Sequence, residues 1–284
     1  MPSAASSGRM DRPRQVDAAP TPVPGGGSQA GAPRFHCPVA LVPGADVELP
    51  DGAARHAQVL RLQPGDAVVL FGGASPCDGG EFGATVLAMG RQSVRVRVGN
   101  YLPRERESTR TLHLAIGMPA NERMDWLVEK ATELGVATIQ PLMTERTVVR
   151  LDGPRAARRH AHWQGIAVGA CEQCGRNRVP LIHPPLPMAR WPGLQPEPGG
   201  RAPAGPGAEA RLVLSLQADG VALRQWVCGP GREAGVVTLL CGPEGGLSGA
   251  EESAAMAVGY RAVSLGPRIL RAETAALAAL TLLA

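Results

Sequence analysis

A single lysine, Lys130, occurs among 284 residues, and the aromatic side chains amount to three phenylalanines, four tryptophans and two tyrosines. So few rings exclude the kind of stacking platform that reads single-stranded RNA on a sheet face. Lys130 lies in a helical pattern away from every glycine loop, which removes the Gly-x-x-x-x-Gly-Lys phosphate cradle, and the Gly-x-Gly-x-x-Gly dinucleotide fingerprint is missing too. No apolar run approaches the length of about eighteen residues that a membrane-crossing helix needs. Six cysteines beside 44% hydrophobic residues do not form a disulfide framework, and a reducing cytoplasm is the simpler inference. Cys171 and Cys174 make a Cys-x-x-Cys, but Trp163, Ile166, Ala167, Ala170 and Cys174 recur at helical spacing, which puts Cys174 on an apolar face. Cys228 and Cys241 are too far apart for a second zinc knuckle, so no metal site is expected.

The charge that is present is almost all arginine, with a net +4 and a pI near 8.9. That balance permits nucleic-acid binding without demanding it. Residues 1–33 are rich in Ala, Ser, Pro and Gly and carry no apolar h-region, so they read as a disordered tail. A second Pro-Gly-rich stretch, 184–210, reads as a flexible insertion. From 34 to 103 short apolar runs alternate with turn signals: Ala67 to Phe71, Phe82 to Met89, and Val94 to Val98, where Arg95 and Arg97 face water. A small β-barrel is expected there. From 111 onward strands alternate with helices, the mark of a parallel α/β sheet. Thr111 to Met118 reads as a strand; Asn121 then caps a helix with Met124, Leu127, Val128, Ala131 and Leu134 on one face, and Gly135 ends it. Further strands are expected at Val136 to Leu142, Val179 to His183 and Leu212 to Leu216, with a helix over 155–174. The segment Ala275 to Ala284 is apolar nearly all round and must be buried against its own domain or a second copy.

Two loops near the C-terminus each place glycine between an apolar run and a helix, the position at which open α/β sheets bind ligands. One is Gly242-Pro243-Glu244-Gly245-Gly246-Leu247-Ser248, and the other is Leu265-Gly266-Pro267-Arg268-Ile269-Leu270-Arg271. Ser248 and Glu251 have capping-box spacing for the helix after the first loop. A glycine pair alone is compatible with a tight turn and nothing more; two arginines and an acid in and after the second loop shift the reading toward a site.

The motifs Glu129-Lys130-Ala131-Thr132-Glu133-Leu134-Gly135-Val136, Thr144-Glu145-Arg146-Thr147 and Glu172-Gln173-Cys174-Gly175-Arg176, followed by the two glycine loops, the second running on through Ala272-Glu273-Thr274, resemble the RsmE family. These are bacterial 16S ribosomal RNA uridine N3-methyltransferases of the SPOUT class. The resemblance runs from Arg34 to the C-terminus. It implies a PUA-like RNA-binding barrel over 34–103, a SPOUT methyltransferase domain over 104–284 with a C-terminal trefoil knot, S-adenosylmethionine as cofactor, and a homodimer acting on 16S rRNA within the small ribosomal subunit. By motif match the cofactor site comprises Leu216, Gly242, Pro243, Glu244, Gly245, Gly246, Leu265, Gly266 and Leu270. Uracil N3 must lose its proton to act as a nucleophile, so Arg268 and Arg271 are assigned to the developing uracil oxyanion or to phosphate, and Glu273 to the base. Glu273 has a second reading, as a first-turn helix carboxylate paired with Arg271. Arg34, His56, Arg61, Arg176 and Arg178 resemble positions that line an RNA face. The alternatives are a SPOUT enzyme of transfer RNA and a catalytically silent ribosome-assembly protein. The Glu-Gln-Cys-Gly-Arg motif disfavours the first, and the retained loop glycines disfavour the second.

Overall fold

The computed structural model describes residues 31–72, 80–120, 122–194, 209–216 and 220–284. The expected tail over its first thirty residues, the Asn121 cap and the middle of the proposed insertion therefore lie outside the described residues.

The N-terminal unit contains β1 (Arg34–His36), β2 (Asp46–Glu48), α1 (Asp51–Val59), β3 (Ala67–Phe71), β4 (Glu81–Met89) and β5 (Val94–Leu102). Its sheet order is β1-β3-β4-β5-β2, with β1 parallel to β3 and the other pairs antiparallel. No β1–β2 pairing closes the ring among the described residues, so the expected barrel is an open five-stranded sheet in hydrogen-bonding terms. Val94, Val96 and Val98 are buried while Arg95 and Arg97 face water, and Arg97 forks onto Asp46 of the neighbouring strand. Phe35, Leu70, Phe82 and the valines fill the core, and Ala53, Ala54 and Ala57 of α1 pack onto it.

The C-terminal unit contains β6 (Thr111–Gly117), α2 (Arg123–Glu133), β7 (Val136–Met143), α3 (Gly153–Cys174), β8 (Leu181–Ile182), β9 (Leu186–Pro187), β10 (Glu209–Leu214), β11 (Val221–Ala222), α4 (Leu223–Cys228), β12 (Val236–Cys241), α5 (Gly249–Ala257), β13 (Arg261–Ser264) and α6 (Ala272–Leu283). The strands form one parallel sheet of order β11-β13-β10-β12-β6-β7-β8, with β9 also on β7. Helices α2, α3, α4 and α6 share a core with one face of the sheet, while Leu247, Ala255 and Tyr260 of the α5 region join Met188 and Trp191 on the other.

Several expectations are corrected. Strand β10 covers 209–214, so Leu216 lies beyond the strand end, and Val179 to His183 holds only a two-residue strand. Residues 184–194 are not flexible insertion: β9 pairs with β7 there, and Met188 and Trp191 enter the core because their apolar area outweighs the local proline content. Cys171, not Cys174, is the buried cysteine of α3. In α6, Ala276, Leu277, Ala279, Leu280 and Leu283 are buried by this chain's own sheet and helices, so most of that apolar surface needs no second copy. Gly135 ends α2 with φ +88, as the helix pattern predicts.

A charge cluster built on one buried carboxylate ties the two units together. Glu81, fully buried on β4, accepts from Arg34, from Arg104 at 3.0 Å and from Arg106 at 3.2 Å. Arg34 also donates to Asn177 Oδ1 at 2.7 Å, and Arg106 to the Gly175 carbonyl at 2.9 Å, both just beyond α3. Glu172 on α3 takes the His36 amide at 3.1 Å and His56 Nδ1 at 3.1 Å. Burial of Glu81 works to raise its pKa, but the hydrogen bonds from Arg34 and Arg106 outweigh it and hold the carboxyl below its ordinary value. A carboxyl lowered in the folded state adds stability above its unfolded pKa and loses it as pH falls through the folded value. Replacing Glu81 with Ala leaves Arg34, the least exposed of its three arginines, without its carboxylate, and is expected to lower stability by about 1–3 kcal/mol in chemical denaturation. The acid-side fall in stability expected of the wild type should shrink in that variant; an unchanged midpoint and pH profile would contradict this role.

Candidate active site

Parallel register brings the two glycine loops to one place. Val213 of β10 pairs with Leu240 of β12, and Leu214 of β10 pairs with Val263 of β13, so all three strands end at the same sheet edge. Leu216, the loop 242–248 and the loop 265–271 follow directly from those ends. Next to β12, β6 also ends there, with Ile116 opposite Cys241.

The first loop is built by close backbone approach. A Cβ on Gly242 would stand 2.6 Å from the Gly246 carbonyl carbon and the Leu247 nitrogen, and one on Gly117 would stand 2.4 Å from Pro243 Cδ. Gly246 itself has φ +71, which only glycine adopts freely. Arg146, from the Thr-Glu-Arg-Thr motif after β7, donates to the Gly245 carbonyl at 2.7 Å and to that of Leu247 at 3.3 Å. Ser248 and Glu251 make the expected capping box, and the second oxygen of Glu251 accepts the Glu145 amide at 2.8 Å. Thr144 and Thr147 close their own turn through paired hydroxyls at 2.8 Å. The motif thus serves as the clamp of the glycine loop, a role that spacing alone does not reveal.

The second loop is open. Gly266 has φ +101 and nothing within 4 Å of where a Cβ would stand. Leu216 is 75% exposed and Ile269 82% exposed at this edge, an unusual cost in apolar surface. Arg268 and Arg271 are exposed and engage no acid among the described residues.

Glu273 differs from its expected surroundings. It is 6% exposed in the first turn of α6, and its Oε2 is buried without a hydrogen-bond partner. Its nearest cation is not Arg271 but Arg123 at the start of α2, 3.9 Å from Oε1. The same Arg123 donates to Glu244 at 3.1 Å, and Glu244 takes the Ala120 amide at 2.9 Å. Arg123 therefore ties the first loop to the start of α6, and sequence reading missed it because its partners come from distant segments.

Four of the five expected RNA residues gather where the two units meet and are engaged there, Arg34 donating to the Arg176 carbonyl itself at 3.1 Å. Arg176 is 5% exposed: it donates to the Thr132 and Val136 carbonyls at 2.8 and 2.9 Å and pairs with Glu107. Its assignment to an RNA face is corrected, because all three guanidinium nitrogens are engaged inside the fold. Arg34 is likewise absorbed by Glu81 and Asn177. His56 is held by Glu172, and Arg178, though half exposed, pairs with Glu105 at 3.1 Å. Arg61 is the exposed member without such a partner, held at φ +57 after α1.

Among the described residues, no cluster of three His, Cys, Asp or Glu side chains can hold a metal, and no helix is long and apolar enough to cross a membrane.

A family model of the RNA methyltransferase domain matches residues 106–284, and one of the RNA methyltransferase PUA domain matches residues 49–99. The chain is 33% identical to ribosomal RNA small subunit methyltransferase E of Synechocystis, over 78% of this chain and 67% of that protein. A crystal structure of the protein of that name from Neisseria gonorrhoeae, bound to S-adenosylmethionine, superposes with a TM-score of 0.77 at 35% identity, covering 88% of this chain and 96% of that one. A Legionella pneumophila protein described as a putative methyltransferase, with the same cofactor bound, gives 0.77 at 35% identity over 89% and 96%. With both units matched in order, the chain belongs to the ribosomal RNA small subunit methyltransferase E family.

Proposed function

We propose that this chain is a cytoplasmic S-adenosylmethionine-dependent methyltransferase that modifies N3 of a uridine in small-subunit ribosomal RNA. The observation that carries the reading is the convergence of two glycine loops at one parallel-sheet edge, one clamped by Arg146 and the other open around Gly266. The residues fit the cofactor. The empty space beside Gly266 lets a ligand approach the backbone, and Leu216, Ile269 and the partly exposed Leu265 and Leu270 supply apolar surface for a purine ring. Gly242 through Gly246 form the facing wall. When bound, S-adenosylmethionine supplies an electrophilic methyl group on a sulfonium.

The chain's own residues supply the rest. The Oε2 of Glu273, buried and without a hydrogen-bond partner, takes the N3 proton of uracil once the base has entered the pocket and reached it, leaving the nitrogen lone pair free to attack. Arg123 holds the other oxygen's side, so the carboxylate stays oriented. Arg268 and Arg271, permanently charged, face solvent at the mouth and stabilise negative charge on the uracil oxygens or the flanking phosphates. The return of α6 over β6 and β12, after β13 has paired on the far side of β10, supports a threaded C-terminus. A homodimer belongs to the same reading: Trp126 on α2 and Leu282 on α6 remain exposed on two helices that pack together, leaving apolar surface for a second copy.

Purified protein is expected to move tritiated methyl from S-adenosylmethionine into small-subunit RNA, more into assembled subunits than into naked RNA. Equal labelling of transfer RNA would contradict the ribosomal assignment. Gly266→Val should weaken cofactor binding at least tenfold, about 1.4 kcal/mol, since a branched residue at φ +101 is strained and fills the ligand's approach. Arg95→Ala, on the far sheet, serves as the silent control; normal affinity of the Gly266 variant by calorimetry would sink the site. Glu273→Gln should reduce methyl transfer by about 10²–10⁴-fold with cofactor affinity retained. Full turnover in that variant would remove Glu273 as the base.

A further inference from the structure

With Arg34 and Arg176 locked inside the fold, the unspent cations near the site lie elsewhere. Arg155, Arg158 and Arg159 occupy the first two turns of α3 at spacings that place them on one side of the helix. All three are exposed, and none has a hydrogen bond or ion pair among the described residues. Their location costs the helix stability. Cations at a helix N-terminus oppose its dipole, α3 has no acidic residue in its first turn, and Asp152 at the N-cap makes no side-chain cap bond. Core packing does not call for them either: the fully buried residues of α3 begin only at Trp163.

Register against α2 shows where this stretch points. Asp125, in the first turn of α2, accepts from His162 Nε2 at 2.8 Å and from Trp163 Nε1 at 2.9 Å, in the third turn of α3. Both helices leave the same sheet edge, so α3 starts roughly two turns, or about 10 Å, further out than α2. That edge is the one carrying the glycine loops, and Arg146, which grips the first loop, is joined to Arg155 only by the link 147–154.

We propose that the outer turns of α3 form a phosphate rail for the RNA substrate, with Arg155, Arg158 and Arg159 contacting the backbone of the strand that delivers its base to the glycine loops. This rests on the RNA methyltransferase reading above. Single charges at this spacing fit successive phosphates and give no base selectivity, so the rail positions the substrate and leaves base choice to the pocket.

The test is fluorescence anisotropy with labelled small-subunit ribosomal RNA across a salt series. Loss of three phosphate contacts in the Arg155→Ala/Arg158→Ala/Arg159→Ala variant should lower the slope of log affinity on log salt by about two. Arg158→Ala alone should lower it by about 0.7, while the triple lysine variant keeps the wild-type slope. Calorimetric affinity for S-adenosylmethionine should be unchanged, and thermal unfolding unchanged or raised, because the helix start is relieved of opposing charge. Wild-type slope and affinity in both alanine variants would overturn the assignment. So would a variant that loses binding to assembled subunits but not to naked RNA, which would give the stripe to a protein partner. Failure of the wild-type protein to bind small-subunit RNA would instead remove the RNA reading, and this inference with it.

Discussion

The site depends on β10 lying between β12 and β13 in a parallel sheet. Parallel strands end on the same side, so two loops separated by a helix and a strand in sequence become neighbours without any side chain having to bring them together. Everything local then tunes that edge. Arg146 fastens one loop by its carbonyls, the Ser248–Glu251 capping box fixes the helix behind it, and Arg123 links Glu244 to Glu273 across the mouth. The second loop, without such a fastening to its glycine, keeps its open approach at Gly266 and its exposed Ile269.

Arginine does two distinct kinds of work. The partly buried Arg34 and the buried Arg176 satisfy carbonyls and carboxylates where the sheet unit meets the methyltransferase unit, with Glu81 and Glu107 as their acids. Exposed guanidiniums at Arg268, Arg271 and the start of α3 have no such partners among the described residues. The same junction ties the N-terminal unit to α3 of the methyltransferase unit through Arg34–Asn177 and His36–Glu172.

Much of this was legible in the sequence where local rules dominate. The valine alternation of β5, the apolar face of α2, its Gly135 stop and the capping box at Ser248 are each set by residues within a few positions of one another. The glycine loops were legible as strand-to-helix turns because their spelling is local too, and the parallel register brings both to one edge. What was not legible depends on long-range partners. Arg176 looks like a surface cation in its motif, and only the arrival of Glu107 and the carbonyls of Thr132 and Val136 makes it structural. Glu273 was expected beside Arg271, two residues away, but the helix start turns it inward toward Arg123. Residues 184–194 read as insertion from their prolines, yet Met188 and Trp191 find a core on the second face of the sheet.

Hydrogen exchange with and without S-adenosylmethionine tests the central claim most directly, that the loops 242–248 and 265–271 are two walls of one cofactor site. Saturating cofactor should slow exchange in both loops together, with one ligand bound per chain and little change at the N-terminal sheet or the start of α3. Protection confined to one loop, or centred away from this edge of the sheet, would contradict the account.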